Sequence, residues 1–250
     1  MKQGSSRQRA VGSRLLLLAQ IFLVGCSATQ HSPAAPPADD RGVTAPRNVG
    51  FLVRDGVYNT ELTAPVDMFH HTVFHTEPGM SVFLVSPDGG DFRTFEGLRI
   101  RADYSFRDAP VIDVLVVPSC EHSMDSDLED EVMIDWVRRT AEDAEYVISL
   151  CDGAFVLAEA GLLDGRQATT FPSDITRLAE RYPTIDVHRG PLFVHDGKYI
   201  TSVGGVASFD VALYLCELLY GAQAARGIAG GLVIEWDLTK VPHVVVPQDS

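Results

Sequence analysis

From residue 48 onward the apolar positions alternate between two rhythms. Short unbroken runs of Val, Ile, Leu and Phe are separated by longer stretches in which apolar residues recur every three or four positions. Residues 48–54 (NVGFLVR), 81–86 (SVFLVS), 111–117 (VIDVLVV) and 145–150 (EYVISL) are runs of the first kind and predict strands. The third is continuous and β-branched, as a strand buried on both faces requires, and the fourth reads as buried in the same way. Residues 61–76 place Leu62, Val66, Phe69, Val73 and Phe74 at helical spacing, with Pro65 expected in the first turn, where a missing N–H costs nothing. Residues 127–142 do the same with Leu128, Val132, Ile134, Trp136 and Val137. Residues 153–163 and 173–182 predict two further helices, and the apolar stretches 206–219 and 222–235 two more. Pro87-Asp88-Gly89-Gly90 marks a turn before a hairpin arm over 92–102, and Asp196-Gly197 splits 193–202 into two short strands. Strands and helices alternating at these lengths predict an α/β domain over 48–235, its parallel sheet covered by helices on both faces, followed by a tail over 236–250. No internal repeat, GxGxxG fingerprint or GxxxxGK[ST] loop interrupts the pattern.

The first 47 residues follow neither rhythm. Lys2, Arg7, Arg9 and Arg14 precede an apolar run from Leu15 to Val24, broken only by Gln20. That run is short for a bilayer span and suits the core of a signal peptide over residues 1–25. It ends in Leu23-Val24-Gly25-Cys26, which resembles a bacterial lipobox, with Cys26 as the lipidated residue; an ordinary signal peptide with an incidental Cys is the other reading. Lipidation would hold the mature chain at a membrane surface without spanning it. The Ser-, Ala- and Pro-rich stretch to residue 47 reads as a flexible tether. The expected location is therefore a membrane surface facing the periplasm or the cell exterior.

Charge narrows the partners. Cleavage after residue 25 removes four basic and no acidic side chains, taking the formal net charge from −14 to −18. A domain this acidic repels nucleic acid and anionic headgroups, so no nucleic-acid partner is expected, and membrane contact is expected through the N-terminal lipid only. With Cys26 assigned, Cys120, Cys151 and Cys216 make an odd remainder, which leaves at least one free thiol.

The candidate chemistry sits in Tyr146 to Leu163, YVISLCDGAFVLAEAGLL. A buried strand ends at Leu150, Cys151 occupies the turn, and a helix begins within two residues. The small Gly153 and Ala154 allow strand and helix to pack closely. Such a turn projects its central side chain into the crevice beyond the C-terminal sheet edge, where open α/β folds place their sites. The helix N-terminus is expected to lower the thiol pKa and favour thiolate. The plainer alternative is a buried structural cysteine.

The run Cys151 to Gly165 (CDGAFVLAEAGLLDG), followed by Ala168-Thr169-Thr170 and by Thr201-Ser202-Val203-Gly204-Gly205, resembles the ThiJ/PfpI superfamily over roughly residues 48–220. That group includes the parkinsonism-linked deglycase, PfpI-type proteins, isonitrile hydratases and the N-terminal domains of some AraC-type regulators. The resemblance implies a flavodoxin-like three-layer sandwich of the class I glutamine amidotransferase type, commonly a homodimer, working without a cofactor. It implies that Glu61, in ELTAP, is the family's acidic residue beside the nucleophile. A neutral Glu61 donating a hydrogen bond to a thiolate is the expected arrangement, since two adjacent anions repel. A helix-terminal acid that only favours the dipole is the other reading. The loop PSCEHS stands where relatives often carry Pro-Gly-Gly, and the resemblance implies an oxyanion hole made by the backbone N–H of Asp152 with that of Ser119 or Cys120. The departure from Pro-Gly-Gly brings His122 towards the site as a candidate base or substrate ligand, and offers Cys120 as a disulfide partner for Cys151.

Two further departures shape the expected activity. PfpI-type members with a Cys-His pair carry His directly after the cysteine, and many AraC-type relatives carry His after Thr-Thr; here the residues are Asp152 and Phe171. The usual route to an activated protease thiol is missing, so peptidase activity is not expected. Asp152 is a candidate acid or base, or only a helix cap. His71 and His75 are four apart but lack a third ligand at zinc-site spacing, so no metal is expected. His188 and His195 read as surface residues. The function expected is a cysteine enzyme of hydratase or hydrolase type acting on a small electrophile. The rivals are a redox- or stress-sensing domain and a ligand-binding module without turnover.

Overall fold

The computed structural model describes residues 45–247. The signal peptide, Cys26 and the tether up to residue 44 lie outside the described residues. The chain is already fastened at Arg47, whose Nε lies 2.9 Å from a Glu145 carboxylate oxygen.

The strands are β1 (Asn48–Leu52), β2 (Ser81–Ser86), β3 (Asp91–Arg93), β4 (Arg99–Arg101), β5 (Tyr104–Ser105), β6 (Val114–Val117), β7 (Tyr146–Leu150), β8 (Gln167–Ala168), β9 (Asp186–Val187), β10 (Phe193–Asp196), β11 (Tyr199–Ser202) and β12 (His243–Val245). The helices are α1 (Asn59–His70), α2 (Glu131–Asp143), α3 (Gly153–Glu159), α4 (Ile175–Arg181), α5 (Ala207–Tyr220) and α6 (Ala222–Gly231). Eight strands form one sheet in the order β12-β10-β11-β7-β6-β1-β2-β5. Every neighbouring pair is parallel except the β10–β11 hairpin. This is the mostly parallel sheet that the alternating pattern predicts and the flavodoxin-like α/β sandwich that the resemblance implies.

Strand pleating divides the core into two layers. In β6, Val114 and Val116 pack with residues of α1, α5 and α6, whereas Leu115 and Val117 pack with residues of α2, α3 and α4. β7 repeats the division, with Ile148 and Leu150 on the first side and Val147 on the second. Burial on both faces explains why these runs are continuously apolar.

Several boundaries differ from expectation for local reasons. α1 begins at Asn59, so Pro65 lies inside the helix rather than in its first turn. Its missing N–H removes the helical partner of the Glu61 carbonyl. The helix expected over 127–142 starts at Glu131 instead, because the Asp130 carboxylate accepts the Met133 N–H at 3.0 Å and caps it there. α3 ends at Glu159, short of residue 163, with Gly161 and Gly165 both at positive φ beyond it. The expected tail is not outside the sheet: Trp236 is buried, and β12 pairs with β10 at the edge. His195 is a correction too. Its imidazole is buried between the Tyr214 hydroxyl at 2.7 Å and the Gly197 carbonyl at 2.8 Å, not on the surface, and burial lowers its pKa.

Gly153 opens α3 directly against β6. A Cβ there would collide with the Val117 carbonyl oxygen and sit 3.1 Å from its carbon, and backbone does not yield as a flexible side chain does. Gly153→Ala is expected to cost about 1–3 kcal/mol, as overpacking typically does, and to displace the Cys151 turn. A denaturant midpoint matching wild type would contradict this packing.

Candidate active site

β7 ends at Leu150 and α3 starts at Gly153, so only two residues make the turn. Cys151 takes a φ of +51°, a left-handed conformation that costs an L-residue about 1–2 kcal/mol. Three bonds hold it there. Its N–H donates to the Ser202 carbonyl at 2.9 Å, and its own carbonyl accepts from the Ala154 N–H at 3.3 Å and from the Thr170 hydroxyl at 3.0 Å. Gly204, at φ +74°, lies against this turn. A Cβ on it would run into the Cys151 Cβ and come within 2.8 Å of Glu61 Oε1.

Glu61 comes from the first turn of α1 and is buried. Oε2 accepts the Ser119 N–H at 3.0 Å from the loop after β6, and Oε1 accepts the Gly205 N–H at 3.2 Å from the loop after β11. The Cys151 side chain and this carboxyl meet against Gly204 and interact electrostatically. Burial pushes Glu61 up to about 7, against the downward pull of its two backbone donors. Burial, followed by the negative charge of Glu61 and Asp152, pushes the thiol upward.

The raised carboxyl agrees with the expectation of a protonated Glu61, and the raised thiol departs from the expected thiolate: desolvation favours the protonated form of both groups. The N–H of Asp152 does donate to the sulfur and pulls the other way, but it does not outweigh desolvation beside two carboxyls. α3 spans only seven residues, so its dipole is short as well.

Asp152 is buried and makes no side-chain cap to α3. Its Oδ1 accepts the Thr170 hydroxyl at 3.0 Å, and its carboxyl also contacts the thiol. Burial, then the charge of Asp174, pushes it up to about 6. Two raised carboxyls thus flank one thiol.

A model of the DJ-1/PfpI family matches residues 47–218, more than half the chain. This protein belongs to that family. It is 34% identical over 180 residues to an isonitrile hydratase of Pseudomonas putida, covering 71% of this chain and 74% of the hydratase. It is 30% identical over 185 residues to the HTH-type transcriptional regulator CdhR of Pseudomonas aeruginosa, where the match spans only 52% of the regulator's length. In fold it is similar to Drosophila melanogaster DJ-1beta, with a TM-score of 0.66 at 21% identity over 77% of this chain and all of that one. A ThiJ/PfpI family protein from Pseudomonas syringae gives 0.69 at 22% identity over 85% of both chains.

Within this family setting, the structure brings together Cys151, Glu61 and Asp152 and leaves the remaining candidates aside. The His122 imidazole is half exposed and lies 3.6 Å from Asp125. Both loop donors expected for an oxyanion hole are engaged: Ser119 N–H by Glu61 and Cys120 N–H by the Ser123 hydroxyl at 2.8 Å. Of the expected donors, the Asp152 N–H is the one that acts on the sulfur, lowering its pKa. Cys120, Cys151 and Cys216 are all buried and free, so the Cys120–Cys151 disulfide is not formed. Among the described residues no group of three His, Cys, Asp or Glu is arranged to hold a metal.

Tyr58 is a site residue that sequence reading missed. It precedes α1, its ring packs on Phe95 with centroids 4.8 Å apart, and its phenol feels the charges of Cys151 and Glu61. Its adjacency to the ELTAP motif was the available signal, but no periodicity marks a residue that fills a helix approach.

Both raised carboxyls carry a stability consequence. Each holds a proton in the folded state that the unfolded chain gives up at its ordinary value, 4.5 for Glu61 and 3.8 for Asp152. Their contribution is therefore complete below about pH 4 and is lost as pH rises through about 6 and 7. The unfolding free energy should fall by roughly 3–5 kcal/mol between pH 4.5 and 8 on their account, and by less in Asp152→Asn. Denaturant midpoints across that range check the sign; a variant slope equal to wild type would refute it for Asp152.

Proposed function

We propose that this protein is a cofactor-independent cysteine enzyme of hydratase or hydrolase type, acting on a small electrophilic carbon such as that of an isonitrile or a carbonyl. The observation that carries the reading is the meeting of the Cys151 side chain and the buried Glu61 carboxyl against Gly204, with that carboxyl raised to about 7. A base with that pKa is near its optimum for accepting the thiol proton as substrate arrives. Sulfur then bonds to the electrophilic carbon, and Glu61, now protonated, returns the proton to the adduct. Water adds to the same carbon, sulfur leaves and regains its proton, and the net change is the addition of one water. The Asp152 N–H is the donor nearest the developing charge. Similarity to the Pseudomonas putida hydratase supports the reaction type, and the two carboxyls beside the thiol disfavour anionic substrates.

One observation favours a second reading, a ligand-binding domain without turnover: the same fold makes up about half of CdhR, whose name describes a transcriptional regulator. Redox sensing is weaker here, because a thiol with a raised pKa offers peroxide little thiolate. A panel of isonitriles and small carbonyl compounds separates the readings. Under the enzyme reading Cys151→Ala abolishes turnover and the covalent adduct seen by intact mass, and Glu61→Gln lowers kcat by about 10²–10⁴-fold. Saturable binding equal in wild type and Cys151→Ala, with no product from either, would establish the second reading instead.

Export and lipid anchoring through Cys26 belong to the same proposal, supported by the basic flank, the apolar run and Leu23-Val24-Gly25-Cys26. Pairing of two copies belongs to it as well, on the family resemblance. Cys26→Ser, expressed in a bacterial host, should release the protein from the membrane fraction and lose the mass of the attached acyl chains. An unchanged distribution and mass would rule out the anchor.

A further inference from the structure

Thr170 follows β8, and its side chain is fully buried. Its Oγ1 lies 3.0 Å from the Cys151 carbonyl and 3.0 Å from Asp152 Oδ1. A hydroxyl has one proton to give, and these two neighbours make different demands on it. When Asp152 is ionised, both are acceptors, and the charged carboxylate is the stronger claimant. The Cys151 carbonyl is then left with the longer Ala154 N–H bond. When Asp152 is protonated, it donates to the Thr170 oxygen and Thr170 donates onward, so both contacts are complete.

We propose that Thr170 is a positioning residue that couples the protonation state of Asp152 to the strained turn at Cys151, and so sets the pH at which the thiol becomes reactive. The arrangement of one hydroxyl between a carboxyl and the nucleophile's own carbonyl carries this. The groups facing Asp152 are Cys151, Thr170, Glu61 and Tyr58 in the site, with Asp174 and Arg177 from the chain segment of α4. Arg177 and Thr170 favour the carboxylate, whereas burial and Asp174 favour the acid. Removing the Thr170 hydroxyl shifts this balance towards the acid and relieves the sulfur of a neighbouring negative charge.

The test reads the thiol itself, so it stands or falls separately from turnover, although its catalytic meaning rests on Cys151 being the nucleophile. Alkylation of full-length protein by iodoacetamide is followed by intact mass between pH 5 and 9. Wild type should show an inflection near pH 6, where Asp152 ionises. In Thr170→Val that inflection should move up by about one pH unit, the size expected for losing a hydrogen bond to a charged group, with alkylation near pH 6.5 several-fold faster. Thr170→Ser should restore the wild-type profile. In Asp152→Asn the inflection near pH 6 should vanish, leaving that of Glu61 near pH 7, and adding Thr170→Val should change the profile no further. A Thr170→Val protein with a lower melting temperature but an unmoved inflection overturns the proposal. So does a shift that survives in the Asp152→Asn background, or a wild-type profile with no inflection near pH 6. Should Thr170→Val not fold, Thr170→Ala, which also removes the hydroxyl, takes its place with the same outcomes for and against.

Discussion

Two acids brought together away from water share their protons rather than ionise independently, and Cys151 and Glu61 are such a pair. The carboxyl, burdened by burial but supported by the N–H groups of Ser119 and Gly205, rises only to about 7. The thiol has the Asp152 N–H for support and two carboxyls for neighbours, and it rises much further. Both groups therefore favour their protonated forms, the thiol more strongly than the carboxyl. Such a cysteine is kept from indiscriminate oxidation, since thiolate is what oxidants attack, and becomes a nucleophile when a substrate draws the proton across.

The fold exists to hold that contact in place. Glu61 arrives from α1, Ser119 from the loop after β6, Cys151 from the loop after β7 and Gly205 from the loop after β11, so four segments far apart in sequence meet beyond one sheet edge. Parallel strands make this possible, because their C-terminal ends all face the same way. The strain of a non-glycine residue at φ +51° is offset by the bonds to Ser202, Ala154 and Thr170 and by the absence of a side chain on Gly204. Gly153 matters for the same reason, since only hydrogen fits between α3 and the Val117 carbonyl.

Membership of the DJ-1/PfpI family explains the frame, and the departures from its common motifs explain what is particular here. Asp152 in place of an adjacent His replaces a base with a second acid, which raises the thiol pKa where an imidazolium would lower it. The loop PSCEHS spends its first two amides on Glu61 and Ser123, so charge developing on a substrate meets a sparser set of donors than the resemblance implies.

Much of this was legible in the residues. Continuous β-branched runs identified the buried strands, amphipathic spacing identified α1 and α2, and the strand–Cys–Gly run located the turn, because periodicity and residue size are local properties. Glu61 and Cys151 were legible as partners only through the family's motif order. The chain alone did not reveal that the thiol pKa is raised, since a pKa depends on burial and on the charges that other segments bring to the site. Nor did it reveal that His122 faces away, that His195 is a core residue, that residues 243–245 close the sheet edge, or that Tyr58 and Thr170 belong to the site. Each of those depends on which segments the tertiary structure packs against one another, and local sequence carries no record of a neighbour a hundred residues away.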